Sequence, residues 1–330
     1  MPLSSRLLYL ALALVAPVRA DPSVEVDPSV WLPRAPHTAL RVLSWNVGRA
    51  FLQRNADFQR VLRAIDADVL VLDEMAADLS AERISAAMPQ QSEPWHALYG
   101  IGGGPHERAS IVAMHGLERV PAFDRLAYPE TRFGEWLARV PPSVQPRTRG
   151  SLEAGVAAIG GIVDIDGRRV LVVGLDLQCC GDLPAGPEES RRRFEATSIR
   201  AAIDATARTL DLDGVLVGGD FNAVQGRTPV DLLRGAPGAS TTLSAVEARH
   251  RDHDVAWTWS GEGTPFPSVQ LDFVLHSGAL VPLQAQVFDS EDLDAQTRAA
   301  LGMSSTLSQS LSEHRPVVVD FGWRDGGPLP

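Results

Sequence analysis

Polar residues stand at several places in this chain where apolar runs stop. Asp220 and Asn222 close the segment "GVLVGGDFN", Asn46 follows "LRVLSW", and Asp73-Glu74 follow "DVLVL". Asp272 lies within "VQLDFVL", and Glu313-His314 stand just before "RPVVVDF". A single strand-end Asp or Asn is a common turn residue, and a lone His is commonly a hydrogen-bonded structural group. The repetition is what carries chemical meaning. Converged carboxylates repel and are costly to bury unpaired, and oxygen-rich sites relieve this by holding a hard divalent cation. A His in the same site adds a group that exchanges a proton near neutral pH. Together these groups suit hydrolysis of phosphate esters. The cation offsets phosphate charge, a carboxylate orients water, and the His stabilises charge or moves a proton.

The elements that must position these groups are legible from periodicity. "LRVLSWNV" reads as a strand, and Asn55 is placed to cap a helix whose Phe58, Val61, Leu62 and Ile65 follow helical spacing. "DVLVLDEM" is a second strand. "GGIVDIDGRRVLVVGLDLQ" is two β-branched runs about Asp166-Gly167, a hairpin signal. Ile199, Ile203 and Leu210 mark a helix from about 188 to 210, and "GVLVGGD", "VQLDFVLH" and "HRPVVVDF" are further strands. If the extended backbone continues through Asn222, Asp220 and Asn222 share one face as i and i+2. That is the strand end where α/β sheets gather binding groups. Residues 116–155 are proline-dotted and weakly patterned, as substrate walls and lids often are.

Bulk properties narrow the reading. A formal charge of −11 argues against a wholesale nucleic-acid-binding surface, although a bound cation can outweigh the mean locally. All 30 basic residues are arginine, which excludes P-loop and Schiff-base lysine chemistry. Residues 1–20 have the form of a signal peptide, with Arg6, an apolar run from Leu7 to Val15, and a Val18-Arg19-Ala20 cleavage site. The apolar run falls short of the roughly 20 residues a membrane span needs, so the expectation is a secreted or periplasmic protein with no integral membrane segment after signal removal. Residues 21–39 read as an extended, proline-rich lead-in, 40–323 as the catalytic domain and 324–330 as a tail. Cys179 and Cys180 are neighbours, so they cannot staple the fold; they read as structural or incidental residues, with a strained vicinal disulfide between them as the alternative.

The ordered set "SWNVG", "DVLVLDE", "VLVGGDFNA", "LDFVL" and "SEHRPVV" resembles the endonuclease/exonuclease/phosphatase superfamily, DNase I-like in fold, from about Leu40 to Trp323. The resemblance implies an α/β four-layer sandwich, with two mixed β-sheets packed face to face and flanked by helices. It also implies roles. Glu74 would be the main metal ligand, with Asn46 at the metal and phosphate. Asp220 would orient or deprotonate the attacking water, and Asn222 would hold phosphate oxygens. His314 would contact the phosphate, with Asp272 fixing its tautomer, and Glu313 would be a second metal contact. The implied cation is Mg²⁺, with Mn²⁺ or Ca²⁺ accepted by the same oxygens.

Four positions differ from the family pattern. Glu313 stands for the usual Asp, Asp73 for the usual Gln, and Gln270 for a frequent Arg. Asp176-Leu177 stands where secreted DNases and sphingomyelinases carry His-Leu. Asp176 and Asp73 are therefore possible additional site residues. Arg191-Arg192-Arg193 and the pair His250 and His253 read as solvated surface, and Gly102-Gly103-Gly104 as a flexible rim. The resulting expectation is an exported, metal-dependent phosphodiester hydrolase. Its substrate would be a phosphate ester of nucleic acid, a lipid head group or a small phosphodiester, and no protein partner is inferred. The alternatives are a phosphomonoesterase on a phosphorylated lipid or sugar, and an inactive relative that binds a phosphorylated ligand or protein.

Overall fold

Strand and helix signals alternate along the chain, and in the computed structural model they resolve into two mixed sheets. Residues 31–48, 51–181, 183–224, 226–239 and 241–324 are described. The proposed signal peptide, residues 21–30 of the lead-in and 325–330 of the tail lie outside them. In chain order the first elements are β1 (Leu40–Asn46), α1 (Asn55–Ile65), β2 (Val69–Met75), α2 (Ala81–Ala87), β3 (His96–Tyr99), β4 (Arg108–Ala113) and β5 (Leu117–Arg119). Next come α3 (Phe133–Leu137), α4 (Gln145–Ala154), β6 (Ala158–Ile165), β7 (Arg168–Asp176), α5 (Pro187–Thr209), β8 (Gly214–Asp220) and α6 (Thr228–Arg234). The chain closes with β9 (Leu243–Ala245), β10 (Arg249–His250), β11 (Asp272–Ser277), β12 (Leu280–Val287), α7 (Ala295–Leu301), α8 (Leu307–Leu311) and β13 (Val317–Trp323).

One sheet has the order β10-β12-β13-β1-β2-β4-β3 and the other β5-β6-β7-β8-β11-β9. Val42, Val69, Val71, Val172, Leu216 and Val274 fill the layer between the sheets. The alternate residues of the same strands face outward. Leu43, Trp45, Leu70 and Leu72 meet Phe58, Val61 and Ile65 of α1, and Leu171, Val173, Val215 and Val217 meet Ile199 and Ile203 of α5. Each fully buried side chain of this kind stabilises the fold by about 1.5–3 kcal/mol. This is the four-layer α/β sandwich the sequence implies.

Local chemistry sets the details. Asp166 and Gly167 both take positive φ (55° and 79°), the turn that a two-residue hairpin between β6 and β7 requires. Asn55 is not the cap of α1. Arg54 holds that position without a side-chain bond, and Asn55 instead donates Nδ2–H to the Ala87 carbonyl at 2.9 Å. Asp272 begins β11 rather than lying inside it, because the backbone N–H groups of Leu271 and Asp272 are both taken by Thr258 Oγ1. Residues 31–39 have no regular element, yet Trp31 is buried edge-on against Phe288. The span 116–155 is more ordered than its pattern suggests, carrying β5, α3 and α4.

Candidate active site

β1 and β2 run parallel, and so do β7 and β8. Their strand register lines up the polar strand ends. Asn46 pairs with Asp73 in one sheet, while Asp176 pairs with Asp220 and Asp220 with Asp272 in the other. Counting by twos along each strand, back from Asn46, Asp73, Asp176 and Asp220 and forward from Asp272, each of these five side chains shares a face with the apolar residues between the sheets. Four carboxylates and an amide from two sheets therefore converge at one end of the sandwich. Gly218 and Gly219 make room for them. A Cβ on Gly218 would come within 3.0 Å of Ser44 Oγ across the sheet gap, and Gly219, at φ 135°, would put a Cβ 1.9 Å from the Leu175 carbonyl oxygen.

Asp220 sits at the centre. Its Oδ1 accepts the Asn222 backbone N–H at 2.8 Å and its Oδ2 accepts Asn46 Nδ2–H at 3.3 Å. Asn46 Oδ1 in turn accepts the Gly48 N–H at 3.1 Å. His314 Nδ1 is 2.8 Å from Asp272 Oδ2, and its Nε2 faces Asp220 Oδ2 at 3.8 Å. Burial works against a charge on this ring, but Asp272 and Asp220 outweigh it and hold His314 up at about 9. Burial also pushes Asp220 up to about 7, with His314 opposing and Asp272 adding to the rise. Asp73 and Asp176 are raised well above the carboxylate range, first by burial and then by the neighbouring aspartates. Glu74 lies in the same field, adding like charge at Asp73, Asp176 and Asp220.

These carboxylates are under-satisfied. Both oxygens of Asp73, Oδ2 of Asp176 and Oδ1 of Asp272 are buried without a hydrogen-bond partner. Uncompensated buried carboxylate oxygens fit a hard divalent cation, and Mg²⁺, Mn²⁺ and Ca²⁺ all favour such donors. Ligand atoms of Asp220, Asp272 and His314 lie within 4.8 Å of one another, a set that could hold a metal ion.

Not every expected residue joins in the expected way. β8 ends at Asp220 and Asn222 is left-handed (φ 46°), so the two do not share a strand face. A turn joins them instead, and Asn222 Nδ2–H is spent on the Leu177 carbonyl at 2.8 Å. Glu74 is also left-handed (φ 53°), beside a register shift between Leu72 and Met75. Backbone strain of this kind gathers at functional sites. Glu313 is exposed, with Oε2 accepting the Trp259 indole N–H at 3.3 Å.

Some surface expectations are corrected. Arg191 and Arg192 are buried, bonded to Tyr128, Glu195 and Ser151 and to Glu189 and two backbone carbonyls respectively. Arg193, paired with Glu189, stays half exposed. His250 is buried between Asp292 and the Trp257 carbonyl, while His253 is exposed. Gly102, Gly103 and Gly104, the expected rim, are buried and packed against Val156, Ala157 and Glu107.

Two supporting residues escaped the sequence. Ser312 Oγ donates to the Asn46 carbonyl at 2.7 Å and accepts the His314 N–H at 3.0 Å, tying two motifs together. Its place two before His314 was a usable signal. Thr258, which fixes the start of β11, belongs to no pattern a sequence would flag.

Residues 43–314 match the model of the "Endonuclease/Exonuclease/phosphatase family". No curated protein sequence matches the chain. Among solved structures, an endonuclease/exonuclease/phosphatase from Beutenbergia cavernae is similar at TM-score 0.55 and 17% identity, over 88% of this chain and 72% of that one. The human nocturnin catalytic domain with bound sulfate gives 0.54 and 16%, over 88% and 96%. TDP2 of D. rerio complexed with a single-strand DNA product gives 0.51 and 14%, over 86% and 98%.

Proposed function

The chain belongs to the endonuclease/exonuclease/phosphatase family, and from that premise we propose an exported, divalent-metal-dependent phosphoesterase that hydrolyses a phosphodiester by in-line attack of water. The observation that carries the reading is the His314–Asp272 pair facing Asp220 inside a cluster of unpartnered carboxylate oxygens. Export rests on the form of residues 1–20 alone. The diester reading draws support from the DNA product held by a protein of the same fold.

Each residue has a task in this reading. Asn46 and the Asn222 N–H fix both oxygens of Asp220, so that carboxylate can orient water in one direction. Asp272 holds the Nδ1 proton of His314, so the Nε2–H on the Asp220 side is the one left to meet phosphoryl oxygens, and at neutral pH the ring is a cation there. Glu74, with Asp73 and Asp176 beside it, would hold the cation. When bound, that ion neutralises phosphate charge and relieves the repulsion among the carboxylates.

The test is hydrolysis of bis-p-nitrophenyl phosphate and p-nitrophenyl phosphate by the purified protein with Mg²⁺, Mn²⁺, Ca²⁺ or EDTA, beside His314→Ala and Asp220→Ala. The expected result is metal-dependent cleavage of the diester that both substitutions abolish. Preference for the monoester would replace the diester reading, and activity unchanged in both variants would overturn the site.

A further inference from the structure

The loop after Asp176 carries Cys179 and Cys180, which the hydrolytic reading does not use. Both are exposed free thiols, and their sulfurs lie 2.7 Å apart. Cys180 is left-handed (φ 67°), a conformation that non-glycine residues seldom adopt and that here turns the second side chain back beside the first. The loop around them is pinned from two sides. Leu177 N–H donates to the Asp220 carbonyl at 2.9 Å and the Leu177 carbonyl accepts Asn222 Nδ2–H. From α5, Glu195 accepts the Gln178 N–H at 2.7 Å, and Arg192 Nη1 donates to the Gln178 and Cys180 carbonyls at 2.9 and 2.6 Å. Both cysteines line an open recess of about 250 Å³ together with Trp136, Val140 and Arg147.

We propose that Cys179 and Cys180 form a redox modification site, closing to a vicinal disulfide in an oxidising medium and reopening with thiols. The oxidant is a small-molecule disulfide such as oxidised glutathione. The Cys180 thiolate attacks one of its sulfurs, forming a mixed disulfide and releasing one thiolate. Cys179 then gives up its proton and attacks the Cys180 sulfur, and the second small thiol leaves. Overall two protein thiols and one small disulfide become one protein disulfide and two small thiols. The order of attack follows from the surroundings. The hydrogen bond between the sulfurs, with Arg192 nearby, holds Cys180 down at about 7, and the same bond pushes Cys179 up. Adjacent Cα atoms are about 3.8 Å apart, below the roughly 4.4–6.8 Å span of ordinary disulfides. The ring is therefore strained and readily reduced, as regulatory disulfides are. Its closure would act on the Cys180 carbonyl that holds Arg192.

The test is intact mass and free-thiol titration of the purified chain equilibrated across ratios of reduced to oxidised glutathione, a readout that does not depend on hydrolysis. The expected result is loss of two hydrogens and both thiols at the oxidising end, restored by dithiothreitol. Cys179→Ser and Cys180→Ser should each carry one glutathionyl adduct instead. A wild-type chain that keeps both thiols, stops at glutathionyl adducts, or forms only disulfides between chains would overturn the proposal.

Discussion

β1 carries a buried charge problem at each end. Near its start, Arg41 and Asp320 are fully buried, and the guanidinium meets both carboxylate oxygens at 2.6 and 2.9 Å while Nη1 takes the Leu32 and Ile65 carbonyls. At its end, Asn46 enters a cluster of Asp73, Asp176, Asp220 and Asp272, where His314 is the cationic partner and four carboxylate oxygens stay unpaired. The chain has arginine to spare and, among the described residues, bonds none to this cluster. One end is complete with its own cation. The other leaves buried carboxylate oxygens that a cation from outside would satisfy, and that difference marks it as the candidate site.

The contrast can be broken in several ways. The largest effect should be on turnover. His314→Ala or Asp220→Ala should lower kcat by about 10²–10⁴-fold, the usual worth of a positioned acid or base, with the fold retained by circular dichroism. At the other end the loss should fall on stability. Arg41→Met leaves Asp320 buried and unpaired and should cost about 3–5 kcal/mol in urea unfolding, with kcat of the folded fraction unchanged.

Between these lies a pH effect. Asp220 has an ordinary value of 3.8 and about 7 when folded, so the folded state holds the extra proton across that window. Stability of the metal-free protein should therefore fall as pH rises from about 4 to 7. His314, raised from 6.5 to about 9, contributes stability that is present below 6.5 and lost as pH climbs through 9. Saturating Mn²⁺ at 100 times its Kd should restore about 2.7 kcal/mol at neutral pH, and a melting curve that is flat in pH and metal would remove the contrast. The smallest effect belongs to Glu313→Gln. That side chain is exposed and bonded to Trp259, so the metal dependence of hydrolysis should shift by less than about tenfold, the lower bound for residues that support a metal.

What was legible in the sequence follows the same physics. Strand patterning is a local property, and it put Asn46 and Asp220 at strand ends and His314 just before a strand, as the structure has them. The sandwich followed from the motif order. What depended on distant partners was hidden. Arg191 and Arg192 look solvated in sequence because nothing local shows that Tyr128 and the carbonyls of Gln178 and Cys180 will receive them. Asn222 leaves its strand because a turn N–H satisfies Asp220. Asp73 and Asp176 were visible only as departures from a pattern, yet the register sets them level with Asn46 and Asp220.

The most direct measurement is calorimetric titration of Mn²⁺ into metal-free protein, comparing wild type with Glu74→Gln, Asp73→Asn and Arg41→Met. Wild type and Arg41→Met should each show one saturable site, weakened at least about tenfold in the two acidic variants. Absence of binding in the wild type, or equal affinity in all four proteins, would contradict that expectation.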